Sequence, residues 1–440
     1  MKKVYVLISL LCISFIISYF CYAPNLIDIV TGQTIPDFKL QWPLLRLFIE
    51  PFYAFAYHIL TMERSGYIPA LISWLLWSIT FAIIFSKSKK FNIKKTIFLS
   101  FFSVFFTASI ISLVIFLPVQ GPKLISPSNN WIIFDPHSHT ISSRDVISNI
   151  YSNMNFHFLQ GYNDFFITEH DTTRGNFLFP SDERKSHVFP GIQIRTTEGI
   201  SVLLLSSKFF QYEDFAKHSL KDLVKLAHNN DMLVIMPHWW KWHRPALQEV
   251  IASGIDGFEI YNCGYRYISD STRNEIIDVC KKNNLLMLGS TDWHGYGYMT
   301  NVWSVIQNNG NKNFFELLKE KPQVHVIVHN VKGTQSIIRY IFEPFYFVIH
   351  YLTYTKIKFI LSFYMILTFI LVFLSIFKFK TVIRFISILF ALFFDCALFY
   401  FANLFTANKH SVILPETIIP VLIGLVLVWL ILWGISGKNL

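Results

Sequence analysis

The sequence predicts an α/β protein, a closed α/β barrel inserted between two groups of transmembrane α-helices. Three observations lead there. Apolar residues crowd the two ends of the 440-residue chain. The middle third has ordinary globular composition, with short apolar runs alternating with helical patterns. Several of those runs end in His, Asp or Glu.

The chain is 53% hydrophobic and 15% charged, where a soluble domain carries about 25% charged residues. A helix needs about 20 apolar residues to span a hydrocarbon core. Windows of that kind cover 4–22, 68–85 and 96–117 before the middle region, and 359–377, 385–404 and 415–433 after it. The first can also be read as a signal peptide, because Lys2-Lys3 precede an apolar run; Pro24 directly behind it argues for a retained anchor. The net charge of +10 fits this topology better than a nucleic-acid partner. Lys2-Lys3, "KSKKFNIKK" (87–95), "KFKTVIR" (378–384) and Lys438 fall on one side of six spans, and positive loops mark the cytoplasm. The expected localisation is therefore the cell membrane, multi-pass, with the central domain periplasmic or extracellular. Asp395 is the only acid deep inside an expected span. Cys263 and Cys280 read as two buried thiols rather than a disulfide.

Two segments resemble one another. "RLFIEPFYAFAYHIL" (46–60) and "RYIFEPFYFVIHYL" (339–352) each place an Arg four residues before the Glu of Glu-Pro-Phe-Tyr. A polar start followed by aromatics reads as a helix lying in a membrane interface, over about 46–61 and 339–354. The expected organisation is a membrane region at 1–120, a barrel domain at 125–333 and a second membrane region at 337–440.

Within the middle region, nine segments read as strands: 131–135, 164–169, 191–196, 201–207, 232–238, 257–262, 285–292, 302–307 and 324–330. Helical patterns at 213–230 and 270–284 lie between some of them. Continuous apolar strands alternating with helices indicate a parallel sheet covered on its outside. At this length a closed barrel leads, and its chemistry sits at the C-terminal strand ends. Asp135, His137 and His139 follow "WIIF", and Glu169 and His170 follow "DFFIT". Gln193 lies within "GIQIRT" and His238 follows "MLVIMP". Glu259, Tyr261 and Asn262 lie in "GFEIYN", and Asp292 and His294 follow "LLMLGS". Buried imidazoles each need a hydrogen-bond partner, and one shared metal satisfies several together. A mixed His and carboxylate set suits Zn²⁺, Mn²⁺ or Fe.

"DPHSHT", "ITEHD", "MPH", "DGFEIYN" and "GSTDWHG" resemble the successive motifs of the PHP (polymerase and histidinol phosphatase) domain, over about residues 131–300. The resemblance implies that the barrel is a distorted (β/α)7 barrel, PHP-like, with a metal cluster at the C-terminal rim and phosphoesterase activity. It implies His137, His139 and Asp292 as ligands of one metal, Asp145, His170 and His294 as ligands of another, and His238 at a third position. Two departures stand out. Gln193 occupies a place where the family usually has a bridging carboxylate, and Ser201 one where a His often follows. One or two metals are therefore expected rather than three, with Glu198 or His218 as candidate substitutes.

The expected activity is hydrolysis of a phosphate ester through a metal-bound hydroxide, with His137, His139, His170, His238, Asp292 and His294 around the metals. Arg195, with Arg144 as a weaker candidate, adds positive charge for the phosphate. The expected partners are a phosphorylated small molecule or lipid-linked substrate and membrane lipid, with no nucleic acid. Trp239, Trp240 and Trp242, with Lys241 and His243, are expected to line the mouth of the site. The alternative is a non-catalytic sensor or transport-associated protein with a degraded site, which Asp395 and the repeated segment favour.

Overall fold

The structure is a computed structural model that describes residues 26–61, 67–87, 119–143, 145–175, 187–240, 245–264, 268–310, 312–329, 337–356 and 358–366. Its contacts divide the chain into Met1–Ile360 and Leu361–Leu440. Of the second unit, residues 361–366 are described, and they are helical.

The nine segments expected as strands are all strands. They are β5 (Trp131–Ser138), β6 (Asp164–His170), β7 (Val188–Arg195), β8 (Ser201–Leu205), β9 (Leu233–Met236), β10 (Gly257–Asn262), β11 (Leu286–Ser290), β12 (Val302–Gln307) and β13 (His325–His329). Valine, isoleucine, leucine and phenylalanine fill them because a pleated, buried surface suits branched and aromatic side chains. Ahead of them lie β1 (Leu26–Asp28), β2 (Gln33–Thr34), β3 (Lys39–Gln41) and β4 (Lys123–Ile125). One eleven-stranded sheet runs β11-β10-β9-β8-β7-β6-β5-β12-β13-β1-β2, and β3 pairs with β4 separately.

The strands are not all parallel. β8 runs antiparallel to both β7 and β9, and β12 antiparallel to β5 and β13. The β7–β8 link is a hairpin closed by Thr196 N–H donating to the Ile200 carbonyl at 2.8 Å. Gly199 supplies the positive φ (+80°) the turn needs. Parallel neighbours need a crossover of about a dozen residues, and residues 196–200 between β7 and β8 are too few for one. The boundary expected at residue 125 also leaves out β1, whose Leu26–Asp28 pair with His329–Ile327 of β13.

The sheet curls until its β11 end meets β5, closing a ring of the strands between them. Asp292 N–H donates to the His137 carbonyl at 2.9 Å, and His139 N–H to the Trp293 carbonyl at 3.0 Å, so the chain beyond β11 pairs with the end of β5. Deeper in, Ser304 Oγ on β12 bonds both the N–H and the carbonyl of Gly289. A Cβ at Gly289 would lie 2.5 Å from Val326 Cγ1 and 2.7 Å from Val302 Cγ2. Gly289→Ala should therefore destabilise the protein by about 1–3 kcal/mol through overpacking. Urea denaturation of the two proteins side by side checks this.

Helices cover the outside and are capped by local chemistry. α3 (Ile150–Gln160) starts where the Asn149 side chain accepts from Ser152 N–H, and it ends at Gly161 in the left-handed region (φ +95°). α4 (Leu220–Asn229) is capped by Ser219, and α6 (Asp270–Asn283) by Ser269. α5 (Leu247–Ala252) and α7 (Phe314–Lys319) are shorter. Cys263 and Cys280 are free and buried.

α1 (Leu45–Leu60), α2 (Tyr67–Lys87), α8 (Ile337–Ile341) and α9 (Glu343–Tyr354) form a separate helical layer. The two groups of transmembrane helices need correction here. Among the described residues, no helix is long and apolar enough to cross a membrane. This overturns the inserted-barrel architecture in favour of a mixed α/β fold built on one large sheet. It also overturns the multi-pass localisation and the periplasmic or extracellular placement, which rested on counting spans. The physical reason lies in packing: α2 covers the window 68–85, yet Ala70 packs on Ile59 and Trp74 meets Phe55 and Phe347 edge-on. Hydropathy counts such residues without seeing that other helices cover them. The windows 4–22, 96–117, 385–404 and 415–433, most of 359–377, and Asp395 lie outside the described residues.

Candidate metal centre

Strand alternation puts every second side chain on one face. Along β5 and its extension that face carries Asp135, His137 and His139, all buried. β6 delivers His170, the segment after β11 delivers Asp292 and His294, and the loop after β5 delivers Asp145. Two of these groups sit on strained backbone, a feature that clusters at functional sites. Asp292 has φ +48°, and His238, after β9, has φ +30°.

Two clusters result, and His139 belongs to both. In one, His137, His139 and Asp292 converge; in the other, His139, His170 and His294. His139 Nε2 lies 2.9 Å from His137 Nε2 and 3.1 Å from Asp292 Oδ1. His139 stacks on His170 with ring centroids 4.3 Å apart. Asp145 closes the outer side, with Oδ2 3.2 Å from His294 Nε2 and Oδ1 3.6 Å from His170 Nε2.

The donor set fits a cation. His137 Nδ1–H donates to Glu259 Oε1 at 2.7 Å, which leaves the lone pair on Nε2. His294 Nδ1–H donates to the Asp292 carbonyl at 2.8 Å, with the same result. When these imidazoles are neutral, their lone pairs and a carboxylate oxygen face one another, an arrangement that repels until a positive charge, a proton or a metal ion, sits between them. Ligating imidazoles commonly have their other nitrogen fixed in this way.

The electrostatics differ between the two histidines of the inner cluster. Burial lowers His137, but Asp292 and Glu259 beside it outweigh burial and push it up to about 9, so without a cation Nε2 holds a second proton at neutral pH, which a bound metal would displace. Burial, with His294, His170 and His137 around it, holds His139 well below the usual range, in its neutral, ligating form. The His170 and His294 rings beside Asp145 hold it well below the ordinary carboxylate range.

The third position is built differently. Gln193 Nε2 donates to Ser201 Oγ at 3.0 Å and lies 3.2 Å from His238 Nε2, and its Oε1 is 3.1 Å from His137 Nε2. The two departures from the family pattern thus bond to each other. His238 is in neither cluster. Glu198 accepts from Leu220 N–H at the start of α4, and the His218 carbonyl accepts from Thr197 N–H; among the described contacts neither reaches the clusters. Arg195 is exposed at the end of β7. Trp239 is buried, with Nε1–H donating to the Pro245 carbonyl. Arg144 and residues 241–244, including Lys241, Trp242 and His243, lie outside the described residues.

Three buried acids support the site without facing the clusters, and sequence reasoning gave them no role. Glu259 accepts from His137, Ser290 Oγ, His238 N–H and Asn262 Nδ2. Asp135 ties His157 on α3 to Thr291 beyond β11. Glu169 accepts from Thr140 N–H and from the hydroxyls of Thr140 and Ser143. Their position at strand ends was the available signal.

Burial pushes Glu169 up to about 7. An acid raised on folding favours the protonated folded state. Its contribution should be fully present below the unfolded value near 4.5 and fall as pH rises towards 7, by about 3 kcal/mol at most. Glu169→Gln should remove that slope. Urea denaturation of chelator-stripped wild type and variant at pH 4.5 to 8 checks it.

No family model matches the chain, and no curated protein does. Solved structures do. One is a two-domain protein from Bacteroides vulgatus ATCC 8482 containing a predicted PHP-like metal-dependent phosphoesterase. It is 17% identical, over 48% of this chain and 69% of that one, with a TM-score of 0.35. Another is an amidohydrolase from Chromobacterium violaceum, 10% identical over 44% and 97%, with a TM-score of 0.32. A third is a lesion-specific endonuclease from Pyrococcus furiosus, 13% identical over 44% and 57%, with a TM-score of 0.34.

Proposed function

We propose that the chain is a metal-dependent phosphoesterase with one or two divalent ions, Zn, Mn or Fe, at the His139-centred clusters. The observation that carries this reading is the sharing of His139 between two groups of ligand atoms. A divalent ion there supplies Lewis acidity toward phosphoryl oxygens and acidifies the attacking water.

The chain's own residues do the rest. Glu259 keeps the proton of His137 on Nδ1. The Asp292 carbonyl does the same for His294. Asp145, more than half exposed, stays ionised at the mouth and with His170 marks the side from which substrate enters. Arg195 shares the strand face of Gln193 and offers positive charge to phosphate oxygens that do not react. Gln193 is neutral, so the third position lacks the anionic bridge a further ion needs. The proposed substrate is a phosphate ester, of a small molecule or linked to lipid. Excluding nucleic acid leaned on the overturned topology, so both ester classes belong in the assay.

The test is elemental analysis of the purified chain together with hydrolysis of an aryl phosphate and its diester under Mn²⁺ or Zn²⁺. Bound metal with turnover is the expected result. The Gln193–Ser201–His238 contacts favour one other reading, a metal-binding sensor, and bound metal without turnover of either ester would establish that instead.

A further inference from the structure

We infer that Leu60, at the end of α1, is a positioning residue for the metal centre. Its side chain seats against Gly297 and fixes the loop that carries Asp292 and His294. The inference rests on the reading of those two residues as metal ligands. It adds to the site a residue far outside the stretch 131–300, whose motifs pointed to the centre.

The loop covers residues 291–301, between β11 and β12. Its first part is tied to the barrel through the backbone. Asp292 N–H and the Trp293 carbonyl bond to His137 and His139, and the His294 carbonyl accepts from Ile147 N–H at 3.3 Å. Trp293 then closes the loop on itself. Its Nε1–H donates to the Gly297 carbonyl at 2.7 Å, and its ring stacks on Phe156 of α3 with centroids 4.4 Å apart. Gly297 is therefore one hydrogen bond away from the residue that stands between the two ligands.

α1 holds the far side of this loop. A Cβ at Gly297 would lie 2.5 Å from Leu60 Cδ1 and 2.8 Å from Leu60 Cδ2, so the leucine fills the space that a larger residue at 297 would need. Leu60, Tyr57 and Tyr53 pack with Met299 in one buried cluster. Tyr53 OH donates to the Gln120 carbonyl at 2.8 Å, and the next residue, Gly121, donates its N–H to the Tyr298 carbonyl at 2.7 Å. Spacing of i, i+4 and i+7 puts Tyr53, Tyr57 and Leu60 on one helix face. All three follow the bend at Ile49, in the regular part of α1. Ile59 is buried too, but it packs on Ala70 of α2.

Small movements of this loop matter because a metal tolerates ligand distances only within about 0.2 Å of their proper values. Asp292 serves one cluster and His294 the other, with Trp293 between them in the chain. Truncating Leu60 removes the wall on which the 293–297 turn rests, and the surroundings of such a cavity relax only in part. The turn moves toward α1 and draws Trp293 and its two neighbours with it. The bonds to His137 and His139 keep the ring closed, so the loss falls on ligand geometry.

The test compares Leu60→Ala, Leu60→Met and Ile59→Ala with wild type, each as the full chain. Two quantities are read: amide hydrogen exchange over 291–299 in chelator-stripped protein, and the dissociation constant for Mn²⁺ in competition with a chelator. Leu60→Ala should speed that exchange and weaken Mn²⁺ binding about tenfold. Leu60→Met, which conserves volume, should restore both. Ile59→Ala, a comparable lesion on another face of α1, should change neither. If the alanine variant does not fold, Leu60→Val makes the same comparison with a smaller shift. Unchanged exchange over 291–299, unchanged Mn²⁺ affinity, or an equal loss in Ile59→Ala would each overturn the proposal. A wild type that binds no Mn²⁺ sinks the hydrolytic reading itself, and the exchange over 291–299 then decides alone whether Leu60 positions the loop.

Discussion

Replacing His137 and His139 together with alanine should strip the chain of metal and reduce ester hydrolysis to background. His139 contributes to both clusters and His137 to one, so no intact three-ligand group remains. Loss of a supporting partner alone costs metal affinity about 10–100-fold, and loss of two ligands must exceed that. Elemental analysis and turnover should fall together. Retained metal with lost turnover would place the ion elsewhere. Retained turnover would sink the assignment of the centre. Both histidines are fully buried, so circular dichroism of the variant has to show an intact fold for either result to count.

Glu259 gives the second large effect, and two substitutions separate its two roles. Glu259→Ala leaves His137 Nδ1, Ser290 Oγ, His238 N–H and Asn262 Nδ2 without their acceptor in the dry interior. Stranding a buried pair in this way costs about 3–5 kcal/mol. Glu259→Gln keeps the shape and one acceptor oxygen, so its stability loss should be smaller. Its main effect should fall on metal affinity, about 10–100-fold weaker, because His137 Nδ1–H loses its charged partner. Burial alone would raise Glu259, but the charge and hydrogen bond of His137 hold it below the ordinary range. The stability it contributes is therefore present at neutral pH and lost as pH falls. Urea denaturation of stripped protein measures the first effect and metal titration the second. Equal stability losses in the two variants would show that packing, not hydrogen bonding, is what Glu259 provides.

These residues also show what a sequence carries. Strands such as "GFEIYN" are legible because an unbroken apolar run between turn signals has few other solutions. The convergence of His137, His139, His170, Asp292 and His294 is legible for a related reason, since barrel strands end on one rim. Glu259 and Gln193 were visible as strand-end residues, but their partners were not: Ser201 and Ser290 are unremarkable until distant strands are brought side by side. β1 and β2 escaped notice because two or three residues carry no periodicity. The windows of high hydropathy misled for the opposite reason. Trp74 reads as lipid-facing in a linear count, and only the packing of α1, α2 and α9 shows it meeting Phe55 and Phe347.

The pairing of Asp292 and Trp293 with His137 and His139 has a consequence for how the molecule assembles. The residues it joins are the two ends of the ring and stand more than 150 apart in sequence, so closing it confines almost the whole domain at once. The entropy of closing so long a loop must be met before any contact across it is gained. An ion held by both sides acts as a clasp on that seam, and its binding free energy becomes folding free energy. Removal of the ion should therefore loosen the first and last strands before the hairpin of β7 and β8, whose bonds are local.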